Sequence, residues 1–522
     1  MATKKPNIIY ILGDDHRAEF LQSAGYPGLK TPGLDALAAD GIRFDQAFCT
    51  SPVCTPSRCC HYLGQWERRH AINFNSGSAL ARQAWEKSFP AVMKRHGYYL
   101  GWVGKNHVPA GEGGYGGGYL ESFFDYWYGN HNHSGFYVKE FPRGRIYRNA
   151  VHDTQVEVFE EGVMHFLDPD TAEGERFRAE CTSPLPRRPI DKPFCLCVTF
   201  NLPHPAGTGT MQMRPTDDEL YRLTYRDGMN EFPLPETYVP FLKIREPRLP
   251  RHVYNGIQLP SYDYVRSPET LRERLVRICQ TVTGMDWMVG HLRAKLKELS
   301  LEDNTVILFS TDHGIHHGEH GLGGKSLMYE EDLRIPLILY DPRMPASVRG
   351  RVCSDTVVVP DLAPTILSLA GLPVPDSMQG TDLAPGLLDP SAGSRHSRSE
   401  FFAEALMDIQ NYPRSECVRT REWKYIRYFA RTEDPAQSGQ VMRGTLDSYD
   451  GGLTGTLYGN EPPIYEELYH LKEDPREKIN LLKEGSRAAR SMAGELQSRL
   501  LELGRQCRHR DDPILTVPVP EA

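Results

Sequence analysis

The five residues Cys54-Thr55-Pro56-Ser57-Arg58 combine a thiol, a helix-start signal and a guanidinium in one short stretch. Thr is a favourable N-cap and Pro suits the first helical position, so the sequence predicts a helix that begins here. Cys54 would then lie just before a helix N-terminus, where free N–H groups and the helix dipole favour an anion. Arg58, in the first turn, can point back to the same place. The alternative is an ordinary buried cysteine ahead of a capped helix.

Functional-looking residues also follow three apolar runs of the chain. Asp14 and Asp15 end the first run, His204 ends a second, and Asp312 and His313 end a third. Continuous apolar runs are typical of strands in a parallel sheet, whose carboxyl ends meet at one edge. Three crowded carboxylates raise one another's pKa unless a cation neutralises them, and oxygen-rich sites suit Ca²⁺ or Mg²⁺. The alternative for a single aspartate after a strand is a helix cap.

The pattern Cys-x-Pro-Ser-Arg, followed by a short helix and Leu63-Gly64, resembles the sulfatase family of the alkaline-phosphatase-like superfamily. The resemblance extends from residue 7 to about residue 480. It implies that a maturation enzyme oxidises Cys54 to formylglycine, whose hydrated aldehyde is the nucleophile. It also implies a divalent metal ion beside that nucleophile.

Carried over by position, the resemblance assigns the metal ligands to Asp14, Asp15, the formylglycine at Cys54, Asp312 and His313. Asp312 is also placed to accept the proton of the attacking hydroxyl. Many family members have Asn where this chain has His313. The resemblance implies Ca²⁺, but imidazole is a softer ligand than an amide oxygen, so this departure leaves Mg²⁺ or Mn²⁺ open as well.

The same resemblance assigns the other catalytic positions to Arg58, Lys105, His107, His204 and Lys325. Arg58 and the two lysines, with the metal, would offset the negative charge of a sulfate ester. His204, with Lys325, is expected to protonate the leaving alcohol. His107 is expected to take a proton from the second hydroxyl of the hydrate, so that sulfate is expelled. A plain cysteine has no second hydroxyl, which explains the need for the modification.

Other candidates have simpler interpretations. A histidine cluster could suggest zinc, but intervening glycines argue against one helical face, and we expect a polar loop beside the metal site: His313, His316, His317 and His320. We expect His131 and His133 to line the rim of the pocket and Asp361 to cap a helix. Three arginines could bind an acidic substrate group, although solvated surface is the simpler prediction: Arg17, Arg68 and Arg69.

The composition excludes some partners. The 522 residues are 39% hydrophobic and 25% charged, as in a globular protein with one large and one smaller domain. A formal net charge of -8 gives no sign of a basic surface, so nucleic acid is not expected as a partner.

The eleven cysteines show no pattern of disulfide pairing, which favours a reducing compartment. We expect neither a leader nor a membrane span, because no apolar h-region follows Met1 and no apolar stretch of ~20 residues occurs. The sequence as written therefore predicts a cytoplasmic protein with no membrane partner, or a periplasmic or secreted one if a leader was removed. An oligomer stays open.

Alternating strands and helices predict an α/β fold, with a large doubly wound, mostly parallel mixed sheet flanked by helices. Strands are predicted over 7–12, 99–103, 194–200, 304–310, 335–340 and 356–359. Helices are predicted over 31–38, 89–96, 268–299 and 361–370. The region 110–192 shows no regular pattern, and we expect its loops to rim the pocket. A Pro-rich insertion then runs from 205 to about 260.

The pattern changes after the polar link 390–399. Strands within 401–406, 417–429 and 466–471, with a helix over 487–503, predict a smaller α+β subdomain carrying an antiparallel sheet. We therefore divide the chain into a catalytic domain, 1–390, and a C-terminal subdomain, 391–522.

The leading hypothesis is a sulfuric-ester hydrolase acting on a sulfated carbohydrate or small sulfate ester. A phosphonate monoester or phosphodiester hydrolase is the nearest rival, since that related family carries the same Cys-x-Pro-Ser-Arg pattern. A non-catalytic sugar-binding relative with an unmodified Cys54 is a third hypothesis. The presence of all the basic residues that a catalytic site needs, Arg58, Lys105 and Lys325, argues against this third hypothesis.

Overall fold

The computed structural model describes residues 4–73, 78–142, 144–254, 262–389, 398–406, 412–430, 461–509 and 515–519. Most of the polar link predicted over 390–399 lies outside these ranges, as does the end of the Pro-rich insertion. The proposed domain boundary at residue 390 falls in the same gap, so it stays a prediction.

The strands, in chain order, are β1 (Asn7–Asp14), β2 (Ile42–Phe44), β3 (Ala47–Phe48), β4 (Ser78–Leu80), β5 (Tyr99–Asn106), β6 (Tyr126–His131), β7 (Phe194–Pro203), β8 (Thr305–Thr311), β9 (His316–His317), β10 (Gly323–Gly324), β11 (Leu337–Tyr340), β12 (Arg351–Cys353), β13 (Val357–Val358), β14 (Glu400–Ala405), β15 (Ser415–Thr420), β16 (Trp423–Tyr428), β17 (Tyr465–His470) and β18 (Thr516–Pro518). The helices, in the same order, are α1 (Pro32–Asp40), α2 (Cys54–Leu63), α3 (Glu67–His70), α4 (Arg82–Trp85), α5 (Phe89–Arg95), α6 (Tyr119–Phe123), α7 (Gln155–Leu167), α8 (Ala172–Glu180), α9 (Pro205–Thr208), α10 (Glu219–Arg222), α11 (Pro268–Glu298), α12 (Glu330–Leu333), α13 (Leu362–Leu369), α14 (Ala384–Leu388), α15 (Leu481–Glu484) and α16 (Arg487–Cys507).

The central sheet has the strand order β12-β2-β11-β8-β1-β7-β5-β6 among the described residues. In it only β11 runs antiparallel to its neighbours. The four adjacent strands β8, β1, β7 and β5 are all parallel, so their carboxyl ends lie side by side. The predicted mixed, mostly parallel sheet is confirmed.

Strand β1 shows how helices cover both faces of this sheet. Ile8, Tyr10 and Leu12 belong to one hydrophobic core, and Ile9 and Ile11 to the other, because successive side chains on a strand point to opposite faces. The first core includes residues of α2, α5 and α13, and the second includes residues of α1, α7 and α11. The doubly wound arrangement follows directly from the continuous apolar run in β1.

A separate sheet of the described residues, β14-β15-β16-β17, is antiparallel throughout, and α16 packs against it. Phe401, Phe402 and Leu468 belong to the same core as one face of the central sheet. The predicted antiparallel C-terminal sheet with its helix is confirmed, and it shares a hydrophobic core with one face of the large sheet.

Two arginines predicted as solvated are buried. Arg68 lies 2.7 Å from carboxylate oxygens of both Glu404 and Glu416, and Arg17 pairs with Glu319. Arg69 is partly exposed. The prediction was wrong for Arg17 and Arg68 because their carboxylate partners are distant in sequence, and a buried guanidinium is tolerated only with such partners.

The region 110–192 contains strands and helices that the sequence analysis missed: α6, β6, α7 and α8. In α7, Val156, Phe159, Val163 and Phe166 recur at helical spacing and all face the second core. The periodicity was therefore present in the sequence, over only 13 residues between irregular segments. None of the helices in the described part of the chain is both long and apolar enough to traverse a bilayer.

Candidate active site

The predicted site residues gather where β8, β1, β7 and β5 end. Asp14 is the last residue of β1, Lys105 lies near the end of β5, His204 follows β7 and Asp312 follows β8. The pairing of these strands brings together residues that are far apart in sequence. The Asp15 backbone N–H, for example, donates to Asp312 Oδ1 at 3.3 Å, although the two residues are 297 positions apart. Polar residues at this edge can converge because the strands are parallel.

Cys54 is the first residue of α2, and the helix begins earlier than predicted. Val53, not Thr55, is the N-cap, and the Ser57 N–H donates to the Val53 carbonyl at 3.0 Å. Pro56 still lies in the first turn, where its missing N–H removes no intrahelical hydrogen bond. The thiol is fully buried. The predicted cap is therefore wrong, but the predicted position of Cys54 at a helix N-terminus is correct.

The Cys54 sulfur is surrounded by polar groups. Lys325 Nζ lies 2.9 Å from Sγ, His313 Nε2 lies 3.3 Å away and Asp14 Oδ1 lies 3.6 Å away. An ordinary buried cysteine packs among apolar side chains. The surroundings of Cys54 are instead those of a reacting group.

Three cations interleave with three buried carboxylates around this sulfur. Arg58 donates from Nε to Asp312 Oδ2 (2.9 Å) and from Nη2 to Asp14 Oδ2 (3.0 Å). Lys105 contacts Asp14, and Lys325 Nζ lies 3.0 Å from Asp15 Oδ1. Burial alone would raise the pKa of the Asp14 carboxyl, but the nearby charges of Lys105 and Arg58 outweigh it and hold that pKa well below its usual value.

The Asp15 carboxyl is less completely compensated. Burial raises its pKa to about 6 despite Lys325. Its Oδ2 atom is buried and has no hydrogen-bond partner in the described part of the chain, and His204 Nε2 is 3.6 Å away. A buried carboxylate oxygen without a partner is costly, so this atom has the character expected of a metal ligand.

The donor atoms satisfy the proximity that a metal ion requires. Two overlapping sets have all their donor atoms within 4.8 Å of one another: Asp14, Asp15, Cys54 and His204, and Asp14, Cys54, Asp312 and His313. Together these sets contain all five predicted ligands. Three carboxylates and an imidazole suit a divalent cation, whose charge would relieve the carboxylate repulsion. The residues therefore fit such an ion.

Three imidazoles, those of His107, His133 and His204, follow the ends of β5, β6 and β7. His204 Nδ1 accepts a hydrogen bond from Ala206 N (2.9 Å), so its proton is on Nε2. The His133 ring stacks on that of His204, with centroids 4.4 Å apart, and lies 5.0 Å from the His107 ring. Burial and nearby lysine ammonium groups, Lys105 and Lys325 respectively, hold the pKa values of His107 and His204 well below the usual value. Both are neutral at ordinary pH.

Sequence reasoning missed two polar residues that organise the site. The Ser57 hydroxyl donates to the Asp312 carbonyl at 2.5 Å, and Asn201 Oδ1 lies 2.9 Å from His133 Nδ1. Asn201 directly follows the apolar run of β7, so the rule that found His204 could have found it. His131 and His133 are partly exposed, which agrees with the predicted rim position.

The remaining histidines and Asp361 have structural partners. His316 Nδ1 lies 2.7 Å from Asp332 Oδ1, and His317 Nδ1 lies 3.3 Å from the Tyr264 hydroxyl. Within the described ranges, neither of the donor sets above includes His316, His317 or His320. The predicted polar loop carries the short strands β9 and β10. Asp361 precedes α13 and accepts a hydrogen bond from Val358 N (2.9 Å), so it caps the turn before that helix.

Comparison with protein families gives two matches. Residues 6–372 match the family described as Sulfatase, and residues 318–436 match the one described as N-sulphoglucosamine sulphohydrolase, C-terminal. Two curated relatives are each 25% identical to the chain. They are an N-acetylglucosamine-6-O-sulfatase of Bacteroides thetaiotaomicron (98% of this chain, 88% of the relative) and an ulvan-active sulfatase of Formosa agariphila (84% and 77%).

Solved structures share the fold across almost the whole chain. A protein in complex with its substrate D-glucosamine-2-N,6-O-disulfate superimposes with a TM-score of 0.64 at 21% identity, covering 98% of this chain and 99% of that one. A phosphonate monoester hydrolase of Agrobacterium radiobacter gives a TM-score of 0.69 at 18% identity, covering 97% and 96%. At such identities, the likeness is one of fold.

Proposed function

The chain belongs to the sulfatase family and is a sulfuric-ester hydrolase, and from this premise we propose that it removes sulfate from a sulfated carbohydrate. The observation that carries the proposal is the cradle of Arg58, Lys105 and Lys325 around the Cys54 sulfur and its carboxylates. Such a cradle offsets the charge of a sulfate ester, which otherwise repels an anionic nucleophile. The curated relatives named for sulfated sugars support the substrate class.

The proposed nucleophile is residue 54 after oxidation to formylglycine by a maturation enzyme. Its hydrated aldehyde carries two hydroxyl groups, one to attack sulfur and one to release sulfate afterwards. Asp312, whose Oδ2 is fixed by Arg58 Nε at 2.9 Å, is positioned to accept the proton of the attacking hydroxyl.

Asp14, Asp15, Asp312 and His313, together with residue 54, would hold a divalent cation, with Ca²⁺ favoured and Mg²⁺ or Mn²⁺ as alternatives. When bound, this cation supplies positive charge that acidifies a hydroxyl of residue 54 and offsets the charge of the sulfate group. Arg58 holds two of these carboxylates in place through its Nε and Nη2 atoms.

Proton transfer to the leaving alcohol is assigned to His204 and Lys325. His204 carries its proton on Nε2, and Lys325 Nζ lies between the Cys54 sulfur and Asp15 Oδ1, at 2.9 and 3.0 Å. Neutral His107 is suited to remove a proton from the second hydroxyl of residue 54. The maturation enzyme, the oligomeric state and the cytoplasmic location stay predictions.

A second candidate function uses the same residues on phosphorus. The phosphonate monoester hydrolase of A. radiobacter shares the fold at a TM-score of 0.69, and phosphorus and sulfur centres need similar charge compensation. The two candidates differ in the preferred substrate, not in the architecture of the site.

The test compares initial rates on sulfated mono- and oligosaccharides, an aryl sulfate, an aryl phosphodiester and an aryl phosphonate, with protein made in its own host. We expect sulfate release from at least one sulfated sugar with a kcat/KM well above that for the phosphorus substrates. A Cys54→Ala variant should release no sulfate above background. A strong preference for the phosphodiester or phosphonate would favour the second candidate. Binding of sulfated sugars without turnover, by protein with an unmodified Cys54, would favour the sugar-binding hypothesis.

A further inference from the structure

His133 follows β6 and lies at the edge of the buried site. Its Nδ1 is 3.1 Å from Lys105 Nζ and 2.9 Å from Asn201 Oδ1, and its ring stacks on that of His204. Lys105 and Asn201 are fully buried, whereas His133 is partly exposed. The ring therefore has a buried edge at Nδ1 and an exposed edge on the opposite side.

Asn201 determines which nitrogen of His133 carries the proton. Asn201 Nδ2 donates to the Ser134 carbonyl at 2.6 Å. If the amide were flipped, Asn201 Oδ1 would face that carbonyl oxygen at the same distance, and the two acceptors would repel each other. Asn201 Oδ1 therefore faces His133 Nδ1 as an acceptor, and Nδ1 must donate. Lys105 has only donors and finds an acceptor in Asp14, so it needs no lone pair from His133.

Nε2 of His133 is consequently a lone-pair acceptor at the exposed edge of the ring. A second ring proton is disfavoured because the Lys105 ammonium is only 3.1 Å from Nδ1. The hydrogen-bond contacts of the ring with the described residues are made by Nδ1, and none of these residues donates to Nε2. The ring that carries this acceptor stacks on the ring of His204, with centroids 4.4 Å apart, and His204 is the group assigned to protonate the leaving oxygen.

We propose that His133 Nε2 accepts a hydrogen bond from a hydroxyl or amide N–H that the leaving group carries next to the esterified oxygen. The inference rests on the proposed function and deepens it. A sugar esterified at C2, C3 or C4 carries such a donor on a neighbouring carbon, and a 6-O-sulfate carries its nearest one at C4, whereas simple aryl sulfates carry none. His133 is thus a specificity-determining residue that favours carbohydrate sulfates over aryl sulfates.

The variant His133→Asn separates the two edges of the ring. An asparagine amide can still donate to Asn201 Oδ1 from the position of Nδ1, but it has no group at the position of Nε2. We expect the ratio of kcat/KM for a sulfated sugar to that for an aryl sulfate to fall roughly tenfold, the effect of one lost hydrogen bond. His131→Asn is the matched control, because His131 bonds to Asn106 and Glu121 instead. It should leave this ratio unchanged.

Two further measurements test whether His133 Nε2 accepts a hydrogen bond from the sugar. A sugar sulfate whose neighbouring hydroxyl is methylated should bind and react roughly tenfold worse with the wild type, and no worse with His133→Asn than the parent sugar does. In the Cys54→Ala background, which cannot turn over, titration calorimetry should show the same loss of affinity for the parent sugar on adding His133→Asn.

Equal losses on sugar and aryl sulfates would overturn the inference, since His133 would then only position its neighbours. An unchanged ratio, or no binding of the sugar to Cys54→Ala protein, would overturn it as well. Failure of the proposed function has a different signature. The wild type would hydrolyse no sulfated sugar, while the binding comparison in the Cys54→Ala background would still decide the role of His133.

Discussion

At the scale of single residues, the charged groups of the site pair with one another, but a carboxylate oxygen and a guanidinium nitrogen are buried without a hydrogen-bond partner in the described part of the chain. Arg58 links Asp14 to Asp312, and Lys325 links Asp15 to the Cys54 sulfur. Among the described residues, the two unpartnered atoms are Asp15 Oδ2, an acceptor that a cation can satisfy, and Arg58 Nη1, a donor that an anion can satisfy. The electrostatic arrangement thus indicates where a cation is needed, and that proposal can be tested without measuring catalysis.

Asp15→Asn should abolish stabilisation by divalent cations while leaving the fold intact. The Asp15 backbone has a φ of 60°, a left-handed conformation that asparagine adopts readily. A cation at a hundred times its Kd adds ~2.7 kcal/mol to the free energy of unfolding of the wild type. Thermal unfolding with Ca²⁺, Mg²⁺ or Mn²⁺ should therefore raise the wild-type Tm and not that of the variant. Equal shifts in both proteins would contradict the assigned ligands, and the ranking of the three ions would identify the preferred metal.

His316 should make the stability depend on pH. Burial lowers its pKa, but the Asp332 carboxylate outweighs burial and raises the pKa from 6.5 to about 9. A raised pKa in the folded state means that the stabilisation is complete below pH 6.5 and is lost as the pH rises through about 9. The difference in unfolding free energy between wild type and His316→Gln should therefore shrink on the order of 3 kcal/mol across this range. Urea titrations at several pH values measure it, and a constant difference would argue against a charged His316.

At the scale of elements, the strands β8, β1, β7 and β5 could be predicted because each is a continuous apolar run ended by polar residues. The same rule located Asp14, His204 and Asp312. It failed at α7, whose pattern is short, and at the start of α2, where Thr55 suggested a cap that Val53 provides. Local propensity is a weak guide at a helix end that tertiary contacts bury.

The close approach of β5 to β7 beside Lys105 depends on a glycine. Gly104 has a φ of 94°, and a Cβ there would lie 2.2 Å from the Thr199 carbonyl. Gly104→Ala should lower the free energy of unfolding by ~1–3 kcal/mol, because the added Cβ forces β5 away from β7. Lys105 would move with β5, so kcat/KM should fall as well.

Gly97→Ala is the matched control for this prediction. Its φ is 87°, but no heavy atom lies within 4 Å of the added Cβ, so only backbone strain is expected. Activity should be retained while stability falls modestly. Similar losses of activity in both variants would show that the approach of β5 to β7 does not control the position of Lys105.

At the scale of the whole molecule, the two sheets share one hydrophobic core. Ion pairs between Arg68 and the antiparallel sheet add to this contact, and they could not be predicted from the sequence. The antiparallel sheet and its helix were predictable from the change of pattern after residue 390. The burial of Arg68 between Glu404 and Glu416 was not, because the partners are distant in sequence and the arginine resembles a surface residue. Sequence patterns give elements and their order, whereas the pairing of charges needs the packed structure.

Arg68→Ala should be strongly destabilising, by ~3–5 kcal/mol, because buried Glu404 loses its cation and, among the described residues, buried Glu416 keeps only Arg427. Arg499→Ala is the control. Arg499 pairs with Glu400, but its side chain is 44% exposed, so its loss should have a much smaller effect. Chemical unfolding of both variants measures the difference. Comparable losses would mean that the Arg68 pair does not hold the C-terminal sheet to the central one.

The most direct test of the central claim is tandem mass spectrometry of the peptide that contains residue 54, from protein made in its own host and shown to release sulfate. The claim predicts an aldehyde or its hydrate at that position, which borohydride reduces to serine. An intact cysteine, fully alkylated by iodoacetamide in a preparation that still releases sulfate, would contradict it.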